Sequence, residues 1–112
     1  MEKIILNHDI DDINELWVYV KDLIKEGKLV ECEEVIRYAM YLYPSSPIPH
    51  NLYGILFEVR NEQIRAMKHF RAALDLDPTF LPAKENLMTF GTLSFRHKFV
   101  YCQNNLKPHK RA

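Results

Sequence analysis

Apolar residues recur at steps of three and four along most of the chain, and the resulting stripes break at regular places. The first stripe lies between residues 13 and 24, the second begins at Leu29 or Val30, the third covers 52–59, and the fourth runs from Ile64 to Leu76. Because one turn of an α-helix takes about 3.6 residues, such spacing puts the apolar side chains on one helical face. The pattern predicts four consecutive amphipathic helices.

The residues between the stripes are of the types that end and begin helices. Gly27 and Asn61 follow the first and third stripes, and both residue types tolerate the left-handed backbone of a helix C-terminus. Ser46 is a good N-cap, and Pro47 suits the first helical position because the amide that it lacks would have no intrahelical partner. The acidic run that ends at Asp12 predicts a cap for the first helix, and we favour this interpretation over a metal site.

The stripes and their breaks repeat along the chain at one fixed offset, which places Pro44 on Pro78 and Ala39 on Ala73. An internal period of this length, about 34 residues, is typical of stacked supersecondary units. We call this offset the repeat period. The other positions that keep their chemical class are Tyr19 and Tyr53, Leu23 and Phe57, Cys32 and Ala66, Ile36 and Phe70, Met40 and Leu74, and Leu42 and Leu76.

The repeat period and the residues at its fixed positions resemble the tetratricopeptide repeat. The resemblance covers about 13–80 as two repeats, and 81–91 is similar to the first helix of a third. It is carried by Gly54, Phe57, Ala66, Phe70, Ala73 and Pro78, with Ala83, Asn86 and Leu87 in the partial repeat. The first repeat departs from the family at Val20, where a small residue is usual, and at Cys32, which replaces an alanine.

The resemblance implies an all-α fold in which antiparallel helix hairpins form a right-handed stack. We expect a single domain over 1–112, with repeats at about 13–46 and 47–80, a partial repeat or cap at about 81–106, and a tail at 107–112. Gly54 and Ala66 would let two helices approach closely. Val20 opposite Cys32 would hold the first hairpin further apart.

The family pattern fails after Gly91. We expect a helix over about 94–105, because Phe95, Phe99 and Cys102 would share one face. Such a helix could cover the last open apolar face of the stack.

Charge and composition exclude few functions. The net charge is zero, but the chain is acidic in its first third and basic after residue 89. Cys32 and Cys102 have no metal-like spacing, so we expect Cys32 to be a small buried hydrophobe and the protein to be cytoplasmic. The short apolar run at the N-terminus predicts no signal peptide, and no stretch is long enough to predict a membrane span.

No motif predicts an enzyme, a cofactor or a metal site. The five histidines lie beside no serine or cysteine nucleophile, and neither a phosphate-binding glycine loop nor a zinc-like spacing occurs. We expect His50 to be partly packed and His69 to lie on a more exposed helical face.

The resemblance also implies a concave groove lined by the first helix of each repeat, where a peptide or a helix of another protein would bind. Trp17 could be an interface anchor, or it could cap the core beneath the N-terminal segment. Trp17 and Lys21 occupy the places where some family members hold a terminal carboxylate, so that clamp is not reproduced. The expected partner-binding residues are Asn14, Trp17, Lys21, Asn51, Ile55, Glu58, Glu85 and Thr89.

Two other functions stay open at this point. An array of two and a half repeats is short, and its unmatched end could pair with a second copy to form a homo-oligomer. The basic C-terminal segment could contact an anionic ligand or nucleic acid, although the acidic first third would repel one. That segment carries Arg96, Lys98, Lys107, Lys110 and Arg111, with Phe95, Phe99 and Tyr101 nearby.

Overall fold

Helices and short turns make up nearly all of the chain that the structure describes. The structure is a computed structural model that describes residues 12–90 and 99–102. Within these residues no strand occurs, which confirms the predicted all-α class. The helices are α1 (Leu16–Lys25), α2 (Leu29–Leu42), α3 (Pro47–Val59), α4 (Gln63–Leu76) and α5 (Leu81–Phe90), and a 3-10 turn at Ile13–Glu15 leads into α1.

The predicted caps begin the helices. The Asp12 carboxylate accepts a hydrogen bond of 3.0 Å from Asn14 N–H, at the start of the 3-10 turn. Ser46 Oγ accepts one of 3.1 Å from Ile48 N–H, and Pro47 is the first residue of α3. Each cap satisfies one of the amides that a helix N-terminus leaves without an intrahelical partner.

The predicted left-handed residues end α1 and α3. Gly27 has φ 75° and Asn61 has φ 65°. After Gly27, the N–H of Lys28 donates to Leu23 O at 2.9 Å, and after Asn61, the N–H of Glu62 donates to Phe57 O at 2.8 Å. This closure satisfies carbonyls that the end of a helix would otherwise leave unpaired, and it turns the chain sharply into the next helix.

The repeat period holds for the helix bounds as well as for the side chains. The helix α2 begins at residue 29 and ends at 42, while α4 begins at 63 and ends at 76, so each bound of α4 lies one period after its counterpart. The 3-10 turn and α1 together cover 13–25, and α3 covers 47–59, which again differ by one period at both ends. The two helix pairs are therefore built to one plan.

Each helix packs against the next one along the chain, and α1, α3 and α5 also contact one another in that order. The odd-numbered helices thus form one layer. Contacts between α3 and α4 are the most extensive, and those between α1 and α2 are fewer, which agrees with the expected looser first hairpin. The fully buried core includes Leu16, Val20, Cys32, Ile36, Ala39, Leu52, Ile55, Leu56, Ala66 and Phe70.

The backbone of Gly54 lies close to the ring of Phe70 in the second hairpin. A Cβ built on Gly54 would lie 2.5 Å from Cε1 of Phe70, which is closer than van der Waals contact allows. Ala66 is fully buried, as expected of a small core residue. The sequence pattern paired Gly54 with Ala66, whereas the structure shows that the aromatic ring is what requires the glycine.

Some predictions about this part of the chain were wrong. Ile64 was expected to begin an apolar stripe, but its exposed fraction is 76%. Of the two alternatives for the start of the second stripe, Leu29 packs against the core, whereas Val30 is 70% exposed. Ile64 and Val30 both lie in the first turn of their helices. The helix expected over 94–105 is also wrong for residues 99–102, which are not helical. The other residues of that expected helix lie outside the described part of the chain.

We predict that Gly54→Ala lowers the free energy of unfolding by about 1–3 kcal/mol, measured by urea denaturation. Helix propensity alone would give a gain of about 1 kcal/mol, so the sign of the change separates the two effects. Adding Phe70→Leu should make the combined loss smaller than the sum of the single losses, because the ring that clashes is gone. A variant Gly54→Ala that is as stable as the wild type would contradict the close approach.

Candidate functional site

Residues 99–102 lie against the layer formed by α1, α3 and α5. Their main chain is held by two asparagine side chains, Asn51 on α3 and Asn86 on α5, and Tyr101 belongs to the hydrophobic core. We call the place that receives this segment the asparagine groove, and define it by Trp17, Lys21, Asn51 and Asn86. The resident segment is 99–102.

Asn86 binds both main-chain polar groups of one residue. The Val100 N–H donates to Asn86 Oδ1 at 2.9 Å, and Asn86 Nδ2 donates to Val100 O at 2.8 Å. A carboxamide offers one acceptor and two donors, so it can pair with an N–H and a C=O much as a neighbouring β-strand does. The contact uses no side-chain atom of Val100.

Asn51 completes this network from the neighbouring helix. Its Nδ2 donates to Val100 O at 3.0 Å and to Tyr101 O at 3.4 Å, and its Oδ1 accepts from Asn86 Nδ2 at 2.9 Å. Both asparagines have no exposed surface. Buried amides need such partners, because an unsatisfied one destabilises the fold by about 1–3 kcal/mol. Asn51, which was expected to bind another protein, is thus buried in this structure, and its carboxamide is paired with the resident segment and with Asn86.

Aromatic and cationic contacts hold the other end of the resident segment. The rings of Trp17 and Tyr101 have centroids 6.0 Å apart, and Lys21 Nζ lies 5.8 Å from the first centroid and 5.7 Å from the second. Such distances fit cation–π attraction. Burial raises the pKa of Tyr101 to about 12, with a smaller contribution from Cys32, so its phenol stays neutral. Trp17 thus lies against a core residue of the C-terminal segment. The N-terminal segment beneath which it was expected to cap the core lies outside the described residues up to Asp11.

The other predicted binding residues are more scattered. Asn14 is exposed. Ile55 is fully buried in the core and cannot contact a partner, so the prediction that Ile55 binds a partner was wrong. Glu85 and Thr89 are half-buried on α5. Glu58 is also half-buried; burial raises the pKa of its carboxyl group, and Oε2 has no hydrogen-bond partner among the residues that the structure describes.

Sequence reasoning missed Asn86, Val100 and Tyr101 as members of the site. A signal for Asn86 was present, since it lies three residues after the buried Ala83 and next to Leu87, on the helical face expected to be apolar. A polar residue at such a position needs a buried partner. No comparable signal marks Val100, because its role depends only on its main chain.

The histidines of the second hairpin pack among aromatic rings. Nδ1 of His50 lies 3.1 Å from Nδ1 of His69, and the ring of His69 lies 4.6 Å from Tyr53 and 5.5 Å from Phe57. The expected packing of His50 is found, but the exposed position expected for His69 is not. Burial lowers the pKa of His50, and burial with smaller contributions from His50 and Arg65 lowers the pKa of His69 to about 4.

The described residues contain no cluster of three or more histidine, cysteine or acidic side chains that could hold a metal ion. Among the helices that the structure describes, none has the length and apolar character needed to cross a membrane. The basic residues of the C-terminal segment, Arg96, Lys98, Lys107, Lys110 and Arg111, lie outside the described residues.

Comparison of the chain with protein-family models, with curated proteins and with solved structures finds no match in any of the three.

We predict that Asn86→Asp lowers the free energy of unfolding by at least about 1–3 kcal/mol. The carboxylate keeps the size of the amide but cannot donate to Val100 O or to Asn51 Oδ1 at neutral pH, and it is a buried charge. The matched control is Asn14→Asp on the exposed surface, which should change the stability by less than about 0.5 kcal/mol. Equal effects of the two changes in urea denaturation would argue against the buried network.

We also predict that acid weakens the fold in two stages. Because the pKa of His69 is about 4 in the folded protein and near 6.5 when unfolded, the unfolded chain binds more protons between these values. The free energy of unfolding should be fully retained above pH 6.5 and should fall as the pH decreases toward 4. Loss of the Glu33 contribution should follow below pH 4.5, because hydrogen bonds from Tyr53 and Arg60 lower the pKa of that carboxyl group.

The variant His69→Phe tests the first stage. It keeps an aromatic ring and removes one titrating group, so urea denaturation at a series of pH values should show a smaller fall between pH 6.5 and 4. An unchanged fall in this window would show that other groups are responsible.

Proposed function

We propose that the protein is a non-enzymatic protein-interaction module that binds an extended peptide in the asparagine groove. The observation that supports this proposal is the hold of Asn51 and Asn86 on the main chain of residues 100 and 101. These bonds do not depend on side chains of the bound segment. A peptide from another protein could form them equally well once the resident segment leaves.

The same bonds favour an extended peptide over a helix as the ligand. Val100 uses both its N–H and its C=O to contact Asn86. Inside an α-helix both groups would be paired within the helix and could not be held in this way. A ligand that replaces the resident segment must therefore present an unpaired main chain.

We further propose that the helices form the right-handed hairpin stack of a tetratricopeptide-repeat protein. The proposal rests on the signature residues and on the helix bounds, which recur after one repeat period. It also rests on the contacts of α1, α3 and α5, because the first helices of successive repeats line the concave face in that architecture.

The ionisation states of Cys32 and of two histidines favour a binding role over catalysis. Burial raises the pKa of Cys32 to about 12, so its thiol is protonated at neutral pH and is a poor nucleophile. His50 and His69 contact each other, and His69 also contacts aromatic rings. Their low pKa values keep both neutral near pH 7.

The test is selection of peptides from a random displayed library by the full chain carrying Val100→Pro. Proline has no N–H to donate to Asn86, so the change should release the resident segment from the groove. We expect selected peptides to bind this variant and to lose binding when Asn86→Leu is added. Far-ultraviolet circular dichroism must show that both variants keep their helices.

The matched control is Asn14→Leu in the same Val100→Pro background, since Asn14 is exposed and is not one of the residues that define the groove. Binding should survive this change. Failure to select any peptide, or binding that is indifferent to Asn86→Leu, would contradict the proposed function.

A further inference from the structure

We infer that the asparagine groove selects an internal peptide segment of three residues. The first and third are aromatic, and the second is any residue except proline. This segment competes with the chain's own Phe99, Val100 and Tyr101. This inference rests on the proposed function and specifies the ligand. The partner is a protein that presents such a segment in extended conformation.

The central position is recognised through its main chain alone. Val100 contributes its N–H and C=O to Asn86, and the residue is half-buried. Different side chains can therefore occupy this position without loss of the contact. Proline cannot, because it has no N–H and would leave Asn86 Oδ1 without its donor in a buried place.

The following position requires an aromatic ring. Tyr101 is only 7% exposed and lies in the same core cluster as the residues of α1 and α3. Its ring faces Trp17 and Lys21, so a flat ring gains both an aromatic contact and a cation–π contact there. An aliphatic residue would fill part of the space and lose the second contact.

The preceding position favours an aromatic ring less strongly. Phe99 is half-buried, packs against the core cluster and meets the Tyr101 ring edge-on at a centroid distance of 6.2 Å. This pair keeps the two rings on one side of the main chain.

The ligand is an internal segment and does not end at the second aromatic residue. Asn51 Nδ2 donates to Tyr101 O at 3.4 Å, and the groove offers neutral amides at this point. The chain itself continues past Tyr101 to Cys102.

The resident segment is a tethered competitor for the same place. A ligand must displace it, so the apparent affinity equals the affinity for the open groove multiplied by the fraction of molecules in which the groove is open. Weakening the resident segment should therefore strengthen binding of an outside peptide without any new contact.

The test uses a peptide with the sequence of residues 97–104, HKFVYCQN, acetylated and amidated and kept reduced. It is titrated into the full chain with Val100→Pro, and binding is followed by the fluorescence of Trp17, the single tryptophan. A second peptide carries proline in place of the valine, and a third carries alanine in place of the tyrosine.

We expect the first peptide to bind the variant, and the other two peptides to bind it at least about tenfold more weakly. The wild-type chain should bind the first peptide more weakly than the variant does. The chain with Tyr101→Ser gives a second opened groove if Val100→Pro lowers the helix content. Equal binding of the proline peptide would overturn recognition through the main chain, and equal binding of the alanine peptide would overturn the aromatic requirement.

The outcomes also separate this inference from the proposed function. If library peptides of another pattern bind in an Asn86-dependent way and the first peptide does not, the selectivity inferred here is wrong and the binding function stands. If neither the library peptides nor the first peptide binds, the inference and the proposed function are both wrong.

Discussion

Two carboxamides with no exposed surface, those of Asn51 and Asn86, impose a constraint that the groove must meet. Buried amide groups destabilise a fold unless each finds hydrogen-bond partners. Here they bond to each other and to the main chain of Val100 and Tyr101. The layer of α3 and α5 and the segment laid across it are therefore mutually dependent. In this structure the groove is satisfied by a length of main chain whose N–H and C=O groups are free of helix pairing.

The repeats supply the rigid support that this arrangement needs. The ring of Phe70 lies against Gly54, one turn after Asn51 on α3, so that α3 and α4 are closely packed beneath the groove. Glu33 on α2 accepts hydrogen bonds of 2.5 Å from Tyr53 Oη and 2.8 Å from Arg60, which joins the first hairpin to the second. Hydrogen bonds that include a charged group are stronger than neutral ones, and this pair is partly screened from solvent. Together these contacts hold α1, α3 and α5 side by side.

Local sequence patterns predicted the helices well because helix ends are local events. Ser46, Gly27 and Asn61 act through their own backbone or the next turn, so their effects can be seen within a few residues. The repeat period then placed equivalent ends without knowledge of the tertiary structure. Ile64 was misplaced because the exposure of a residue depends on tertiary packing, which the apolar period alone does not show.

The site could be predicted only in part. The helical period placed Trp17 and Lys21 on one face of α1, and both side chains lie beside the ring of Tyr101. Asn51 was expected on the same layer, but as an open residue. Its partners lie 49 and 50 residues further along the chain, and no local pattern indicates a contact at that separation. The predicted helix through Val100 was wrong for the same reason.

The central claim is that Asn86 holds the main chain of Val100, and the most direct measurement is hydrogen exchange of the Val100 amide, followed by NMR on the wild-type chain and on Asn86→Leu. Because Val100 N–H donates to Asn86 Oδ1 at 2.9 Å, exchange in the wild type should be much slower than in an unstructured peptide. In the variant it should accelerate, while amides in the middle of α4 stay protected. A Val100 amide that exchanges at the unstructured rate in the wild type would contradict the account.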